Sequence, residues 1–452
     1  MKSTKSAALD RALLVSIRTP KIKDAEAKES LDELKRLVRT LGFRVVGTQS
    51  QRQSSTNKLA VVGKGKLQEL ARLTGNRGAE DFVEDDHDEM TESLSAETPF
   101  ELADVVVFDC DLSPSQIRNL GNALGVEVLD RTGVIIQIFS RHARTRTARL
   151  QVEIARLNYE APRLRDADDG GNERYMGQGT GESSLELDRR RVRDRLAELR
   201  RELDDVQRVM EGRRSQRSEQ FSVALVGYTN AGKSSIMRAL TGSEVLVEDK
   251  LFATLDTTVR ALHPETHPRI LVSDTVGFIK KLPHDLVASF HSTLDEVRDA
   301  ALRLYVVDAA DPSFRSQLQV VNEVLQEMGV EDIPKLLLLN KSDQLNEAQK
   351  KSLMEEFPDA MMMSSRNLAD IAFLHERIVT LSERDMQEGE LLVPYNAKGV
   401  IGEIRANMRV LKEDYEQTGI RLRVRSGELD LERVKKMLLK DGLQAGSESD
   451  CF

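Results

Sequence analysis

The sequence predicts an α/β multidomain chain: an N-terminal parallel α/β domain, an antiparallel helical hairpin, a domain built around a phosphate loop, and a small α+β C-terminal domain. Three observations carry that prediction. Short β-branched runs alternate with helical patterns over residues 11–143, which implies a parallel sheet with helices on its faces. Residues 144–217 replace that alternation with a seven-residue apolar repeat. Residues 227–235, GYTNAGKSS, match G-x-x-x-x-G-K-[ST] after an apolar strand and before a helical stretch. A chain of 452 residues has room for about three domains on length alone. The expected boundaries are 1–143, 144–217, 218–386 and 387–452.

In the first segment RALLVSI (11–17), FRVVG (43–47), VVVFD (105–109) and VEVLD (126–130) read as strands, and 25–41, 64–73 and 113–124 as helices. In the second, Leu150, Ile154, Leu157 and Ala161 form one seam. Leu185, Val192, Leu196, Leu199, Leu203, Val206 and Met210 form the other. Each seam needs a partner helix, so the two are expected to pair as a coiled coil around a Gly/Asp-rich connecting loop. Residues 141–217 hold 19 Arg, no Lys and 15 acids. That balance reads either as an exposed hairpin laced with salt bridges or, because Arg forks onto phosphate and stacks on bases, as an arm that faces RNA. FSVALVG, RILVSD, LRLYVVDA, PKLLLLN and AMMMSS are the expected strands of the third segment, the Met run being read as a buried strand. Residues 389–440 read as strand, helix, strand, strand, helix.

Composition bounds the function classes. The chain is 40% hydrophobic and 31% charged. No apolar run approaches the roughly 20 residues of a membrane span. MKSTKSAALD at the start has no secretory apolar stretch, and only two cysteines are present, Cys110 and Cys451. Together these point to a reducing cytoplasm and no membrane partner. The net charge of −9 resides in one place: residues 80–97 carry nine acids and no Lys or Arg. That stretch is expected to be a solvated surface insertion, and the rest of the chain is neutral overall.

The chemistry-bearing residues lie at strand ends. Gly227 and Gly232 let backbone N–H groups wrap phosphate, Lys233 brings a cation to the β/γ-phosphates, and Ser234 offers Mg²⁺ an oxygen. DTVG (274–277) follows an apolar strand. Asp274 is expected in the Mg²⁺ shell through water, and Gly277 N–H reaches the γ-phosphate. NKSD (340–343) supplies Asp343, whose carboxylate accepts from guanine N1 and its 2-amino group; adenine has no donor at either place. Ser364, Ser365 and Arg366 close the base pocket by backbone contact. The expected GTP-binding set is therefore Gly227, Tyr228, Thr229, Asn230, Ala231, Gly232, Lys233, Ser234 and Ser235; Asp274, Thr275, Val276 and Gly277; Asn340, Lys341, Ser342 and Asp343; and Ser364, Ser365 and Arg366. The intervening LFATLDTTVR adds Phe252, Ala253, Thr254, Leu255 and Asp256, with Thr254 and Thr258 both chemically suited to Mg²⁺. Lys233 and Gly277 are the expected catalytic contacts. In many GTPases a water-orienting Gln follows the D-x-x-G glycine; here the residue is Phe278.

Several longer stretches resemble the HflX-type GTPases: VVGKGKLQEL, VFDCDLSPSQIRNL, VLDRTGVIIQIFSRHARTRTARLQVEIARL, LELDRR, GYTNAGKSS, FATLDTT, DTVGFI and NKSD. The resemblance covers nearly the whole chain. It implies a GTPase that binds the large ribosomal subunit, reaches its rRNA with the hairpin loop, and splits or rescues stalled ribosomes; a monomer is expected. It also implies Thr254, in FATLD, as the Mg²⁺ threonine. Resembling GTPases with Asn at position 230 and an apolar residue at 278 often recruit K⁺ to the place of an arginine finger, so K⁺ is an expected cofactor beside Mg²⁺. Family members usually carry Arg-Gly-Pro-Gly-Glu near the hairpin loop, whereas this chain reads GQGTGESSLELDRR at 177–190. Two other functions fit the residues: a GTP-gated regulator of a protein partner, and an ATP-driven RNA remodeller using Gly63, Lys64, Gly65 and Lys66.

Overall fold

β-Branched and leucine-rich runs bounded by polar turns become the strands of three separate sheets. The computed structural model describes residues 10–20, 23–53, 61–76, 101–165, 184–215, 220–242, 251–252, 254, 257–280, 296–330, 333–384, 386–397 and 399–447. The acidic stretch 80–97, the hairpin loop 166–183 and Cys451 lie outside them. The fold is the expected mixed α/β type with a parallel sheet and a phosphate-loop domain. Two units are distinguished. One takes the chain to Arg208 and includes Leu251–Phe252, Thr254 and Ile279–Lys280; the other takes the remainder from Val209.

The first unit holds a four-stranded parallel sheet of β1 (Arg11–Arg18), β2 (Arg44–Arg52), β3 (Val105–Phe108) and β4 (Glu127–Asp130), in the order β2-β1-β3-β4. Helices α1 (Asp24–Thr40), α2 (Lys64–Thr74) and α3 (Pro114–Leu124) connect the strands. Leu13, Val15, Ile17 and Phe108 pack with Leu67, Leu70 and Leu120 of α2 and α3. Ser113 and Gln116 form a reciprocal capping box that starts α3.

A further helix, α4 (Arg131–His142), was not among the expected elements. Its apolar run Val134–Ile136 and Ile138–Phe139 has no helical stripe, because both sides of the helix are buried. The helix follows β4 directly, with Asp130 as its N-cap. Arg131 is fully buried and bonds to both Glu33 and Asp109.

The hairpin consists of α5 (Arg146–Arg165) and α6 (Ser184–Ser215). Leu150, Ile154 and Leu199 are buried at its seam, flanked by Leu157, Leu196, Leu203 and Val206. Arg146 pairs with Glu202 at 3.0 Å, and Arg195 with Glu153 at 2.9 Å. These pairs step one heptad forward along α5 and one heptad back along α6, which makes the hairpin antiparallel. The seam ends before Met210, whose side chain is exposed. Toward the loop end of α5, the Tyr159 hydroxyl donates to Asp130 at 2.5 Å and Arg163 stacks over the Tyr159 ring at 3.1 Å. Burial pushes the Asp130 carboxyl above the usual carboxylate range despite these partners.

The second unit holds a six-stranded sheet in the order β10-β9-β8-β5-β7-β6. Its strands are β5 (Phe221–Gly227), β6 (Thr258–Ala261), β7 (Ile270–Asp274), β8 (Leu302–Asp308), β9 (Lys335–Asn340) and β10 (Met361–Met362). Only β6 runs antiparallel. Helices α7 (Lys233–Thr241) and α10 (Leu368–Ser382) cover one face around Leu225, Ile236, Leu304, Met363 and Leu374. Helices α8 (Phe314–Glu327) and α9 (Glu347–Glu356) cover the other around Val307, Phe314, Leu339 and Leu353. The Met run is a correction. Met361 and Met362 form a two-residue edge strand and are only half-buried; Met363, beyond the strand, is fully buried.

The chain then forms β11 (Gln387–Pro394), α11 (Val400–Asn407), β12 (Arg409–Tyr415), β13 (Gly419–Ser426) and α12 (Glu428–Ser447). The three strands are antiparallel in the order β11-β13-β12. Leu391, Val393, Ile404, Leu422, Val424 and Val434 form their core. Among the described residues no helix is long and apolar enough to cross a membrane.

Candidate nucleotide site

Three strand ends of the second unit bring the motifs together. β5 runs into the loop 228–232, which opens α7; β7 ends at Asp274; β9 ends at Asn340. This is the carboxyl edge of a parallel sheet, where the strands of open α/β folds place their ligands.

The loop leaves little room for side chains. Gly232 sits at φ 100, and a Cβ there would lie 2.2 Å from the Asn340 amide nitrogen. Asn340 is fully buried and bridges the site: its amide donates to Ala231 O at 2.8 Å and its carbonyl accepts from Ser365 N–H at 3.0 Å. Asn340 thus joins the phosphate loop to the 364–366 loop. Tyr228, Thr229 and Ala231 are buried, and Asn230 adopts φ 61. Ser235 lies within the first turn of α7.

Lys233 is buried, and its ammonium donates to the carbonyls of Gly227 at 3.0 Å and Tyr228 at 2.8 Å. Burial lowers its pKa to about 8, while the nearby Asp274 opposes the drop. Ser234 Oγ donates to Asp274 Oδ2 at 2.6 Å. A serine hydroxyl beside a carboxylate is a hard-oxygen donor set of the kind Mg²⁺ takes, so the residues present fit that ion. Thr275 donates to Leu225 O at 2.7 Å, and Val276 is buried. At Gly277 a Cβ would fall 2.8 Å from Thr229 Cα and 3.0 Å from Lys233 Nζ, so this glycine lies directly on the phosphate loop.

The base end is equally tied. Asp343 Oδ1 accepts from Ser364 Oγ at 2.7 Å, and Arg366 stands 3.8 Å from its other oxygen. The SSR loop therefore reaches Asp343 through the Ser364 side chain, an interaction the motif reading missed because it expected backbone contact alone. Ser342 N–H donates to Met363 O at 3.1 Å. Lys341, at φ 63, holds Asp308 at 2.6 Å; Asp308 was not singled out from sequence.

The segment between the first two motifs behaves differently. Thr258 is a strand residue in register with Asp274. Phe252 and Thr254 group with the first unit, where the Phe252 ring is buried edge-on against Phe139, centroids 4.6 Å apart. Thr254 is half-buried outside regular structure. Ala253, Leu255 and Asp256 lie outside the described residues. In the first unit Lys280 pairs with Glu29 at 2.9 Å, and its carbonyl accepts from Arg131 at 3.1 Å. At the other proposed phosphate contact, Lys66 is buried and already engaged by Gln49 and Glu69.

Residues 28–140 match the family described as GTP-binding GTPase N-terminal, residues 142–217 the GTP-binding GTPase middle region, and residues 222–341 the 50S ribosome-binding GTPase family. The GTPase HflX of Gluconacetobacter diazotrophicus is 53% identical over 439 residues, covering 94% of this chain and 97% of that protein. The chain belongs to the HflX family of GTPases. The GTPase HflX of Escherichia coli K12 is 34% identical over 94% of this chain and 96% of its own length. A GTP-binding protein from Sulfolobus solfataricus, solved with GDP, is similar at 24% identity and a TM-score of 0.44, over 83% of this chain and 99% of that one. As an HflX GTPase the chain converts GTP to GDP and phosphate.

Proposed function

We propose that this HflX GTPase acts on the large ribosomal subunit and separates or rescues stalled ribosomes, with GTP as the state-setting ligand. The observation that carries the reading is the outer surface of α6, where Arg189, Arg190, Arg191, Arg193, Arg200 and Arg201 are all exposed and no lysine occurs. Such a surface suits phosphate and unstacked bases. The family description matched by residues 222–341, 50S ribosome-binding GTPase, supports the same target. In this reading Ser234 and, through water, Asp274 would hold Mg²⁺, which would draw off phosphate charge when bound. Lys233 holds the phosphates, Gly277 N–H senses the terminal one, and Asp343 reads guanine.

The test is co-sedimentation with purified large subunits in a non-hydrolysable GTP analogue, in GDP and without nucleotide. Binding strongest with the analogue, and reduced when Arg190, Arg193 and Arg200 are changed to Glu, supports the reading. Absence of binding in all three states rejects it in favour of a GTP-gated regulator whose hairpin binds a protein. The engagement of Lys66 by Gln49 and Glu69 weighs against an ATP-driven remodeller, since that ammonium already has two partners.

A further inference from the structure

Asp308 ends β8 directly opposite Asn340, the last residue of β9. Its backbone is fixed on both sides. Its carbonyl accepts from Asp311 N–H at 3.1 Å, and the next N–H, of Ala309, donates to Asn340 O at 3.0 Å. Its carboxylate is fixed as well, with Oδ1 accepting from Ala310 N–H at 3.1 Å. That leaves Oδ2 as the rigid partner of the Lys341 ammonium at 2.6 Å. Both side chains are about four-fifths buried, at 22% and 19% exposure. Surface ion pairs between flexible chains contribute little, but this one joins an immobile carboxylate to a lysine whose backbone is itself in the left-handed region.

We propose that Asp308 is a positioning residue for guanine-nucleotide binding: it holds the Lys341 side chain in place beside Asp343 before the nucleotide arrives. The inference rests on the base-pocket reading given above. A free lysine has many rotamers, and freezing them at the moment of binding weakens the complex. An ammonium without a fixed counter-charge also turns toward solvent or toward the phosphates, and its aliphatic stem then no longer lies along the pocket. The pair with Asp308 removes both alternatives. Because it touches neither phosphates nor metal, its loss acts alike on GDP and GTP.

The experiment measures release of a ribose-labelled fluorescent GDP from full-length protein by stopped flow, with thermal unfolding recorded alongside. Asp308→Asn keeps the shape and removes the charge; it is expected to speed release by about three- to tenfold, the range for freeing one long side chain. The same substitution in a Lys341→Met background is expected to add nothing, because the group it acts through is gone. Asp308→Glu is expected to recover part of the loss. Additive effects in the double variant, or unchanged release from Asp308→Asn, overturn the proposal. A wild-type protein that binds no guanine nucleotide overturns the pocket reading instead, and the two failures are told apart by that control.

Discussion

Phe278 lies beside Tyr228 in a parallel β-bridge, its N–H donating to Gly227 O at 3.1 Å and its carbonyl accepting from Thr229 N–H at 2.9 Å. The residue that follows D-x-x-G is therefore tied to the phosphate loop by its backbone. Its ring is only 3% exposed, so it is a core side chain and not a surface for docking on a partner. A benzyl group has no hydrogen bond to offer water. Whatever orients the attacking water in this enzyme is something other than residue 278.

That separates the chemistry of Phe278 from its packing. Phe278→Leu is expected to keep intrinsic hydrolysis within about twofold while lowering stability modestly, because the volume is largely kept. Phe278→Ala is expected to cost about 3–5 kcal/mol of stability through the cavity it leaves. Single-turnover hydrolysis and chemical denaturation check the two effects. A large rate loss in the Leu variant would assign the ring a direct part in catalysis.

Lys233 gives the nucleotide site a pH dependence. Its folded pKa of about 8 lies below the ordinary 10.5 because burial disfavours the ammonium. Phosphate favours the ammonium, so bound nucleotide raises that pKa. Affinity is then flat below pH 8 and falls above it, by up to about tenfold per pH unit, as free protein gives up the proton that binding requires. GDP titrations from pH 7 to pH 9.5 test this; a constant affinity across the range contradicts it.

At the base end, Asp343→Asn replaces a double acceptor with an amide. GTP affinity is expected to fall at least about tenfold and xanthosine triphosphate affinity to rise, since its 2-oxo group accepts where guanine donates. Competition binding with the two nucleotides checks the exchange. Unchanged GTP affinity would mean that the base lies elsewhere.

A monovalent ion is the candidate for the charge an arginine finger would bring, and such a charge can be worth about 10³–10⁵ in rate. Asn230, three residues after Gly227, carries a hard carbonyl donor. Its φ of 61 makes Asn230→Gly the cleaner variant, because Ala in that region adds backbone strain. Hydrolysis is expected to be faster in KCl than in matched NaCl, and Asn230→Gly is expected to erase the ratio. Equal wild-type rates in the two salts remove K⁺ from the mechanism.

The strand-end placement of the candidate site was legible in sequence because the phosphate loop, D-x-x-G and N-K-x-D each lie within a few residues of one strand end. The hairpin was legible for a similar reason: its heptads mark both faces of one seam. What was missed depends on burial or on pairing across the fold. Helix α4 is apolar on both sides, so its run of Val, Ile and Phe has no period to betray a helix. Asp308 meets Lys341 only through the register of β8 and β9. The contacts of Arg131 with Glu33 and Asp109 span most of the N-terminal segment and have no local spacing at all. The Met run showed its apolarity but not its position at the sheet edge, which sequence alone does not encode.

Because residue 278 offers no water-orienting side chain, this HflX GTPase is expected to need the large ribosomal subunit to complete its hydrolytic centre. GTP turnover by the purified protein, with and without purified large subunits in KCl, tests this most directly. Slow turnover alone and at least about a hundredfold acceleration by the subunit are expected, well within what completing a GTPase centre can supply. Turnover that is already fast alone, or that the subunit leaves unchanged, would contradict this expectation.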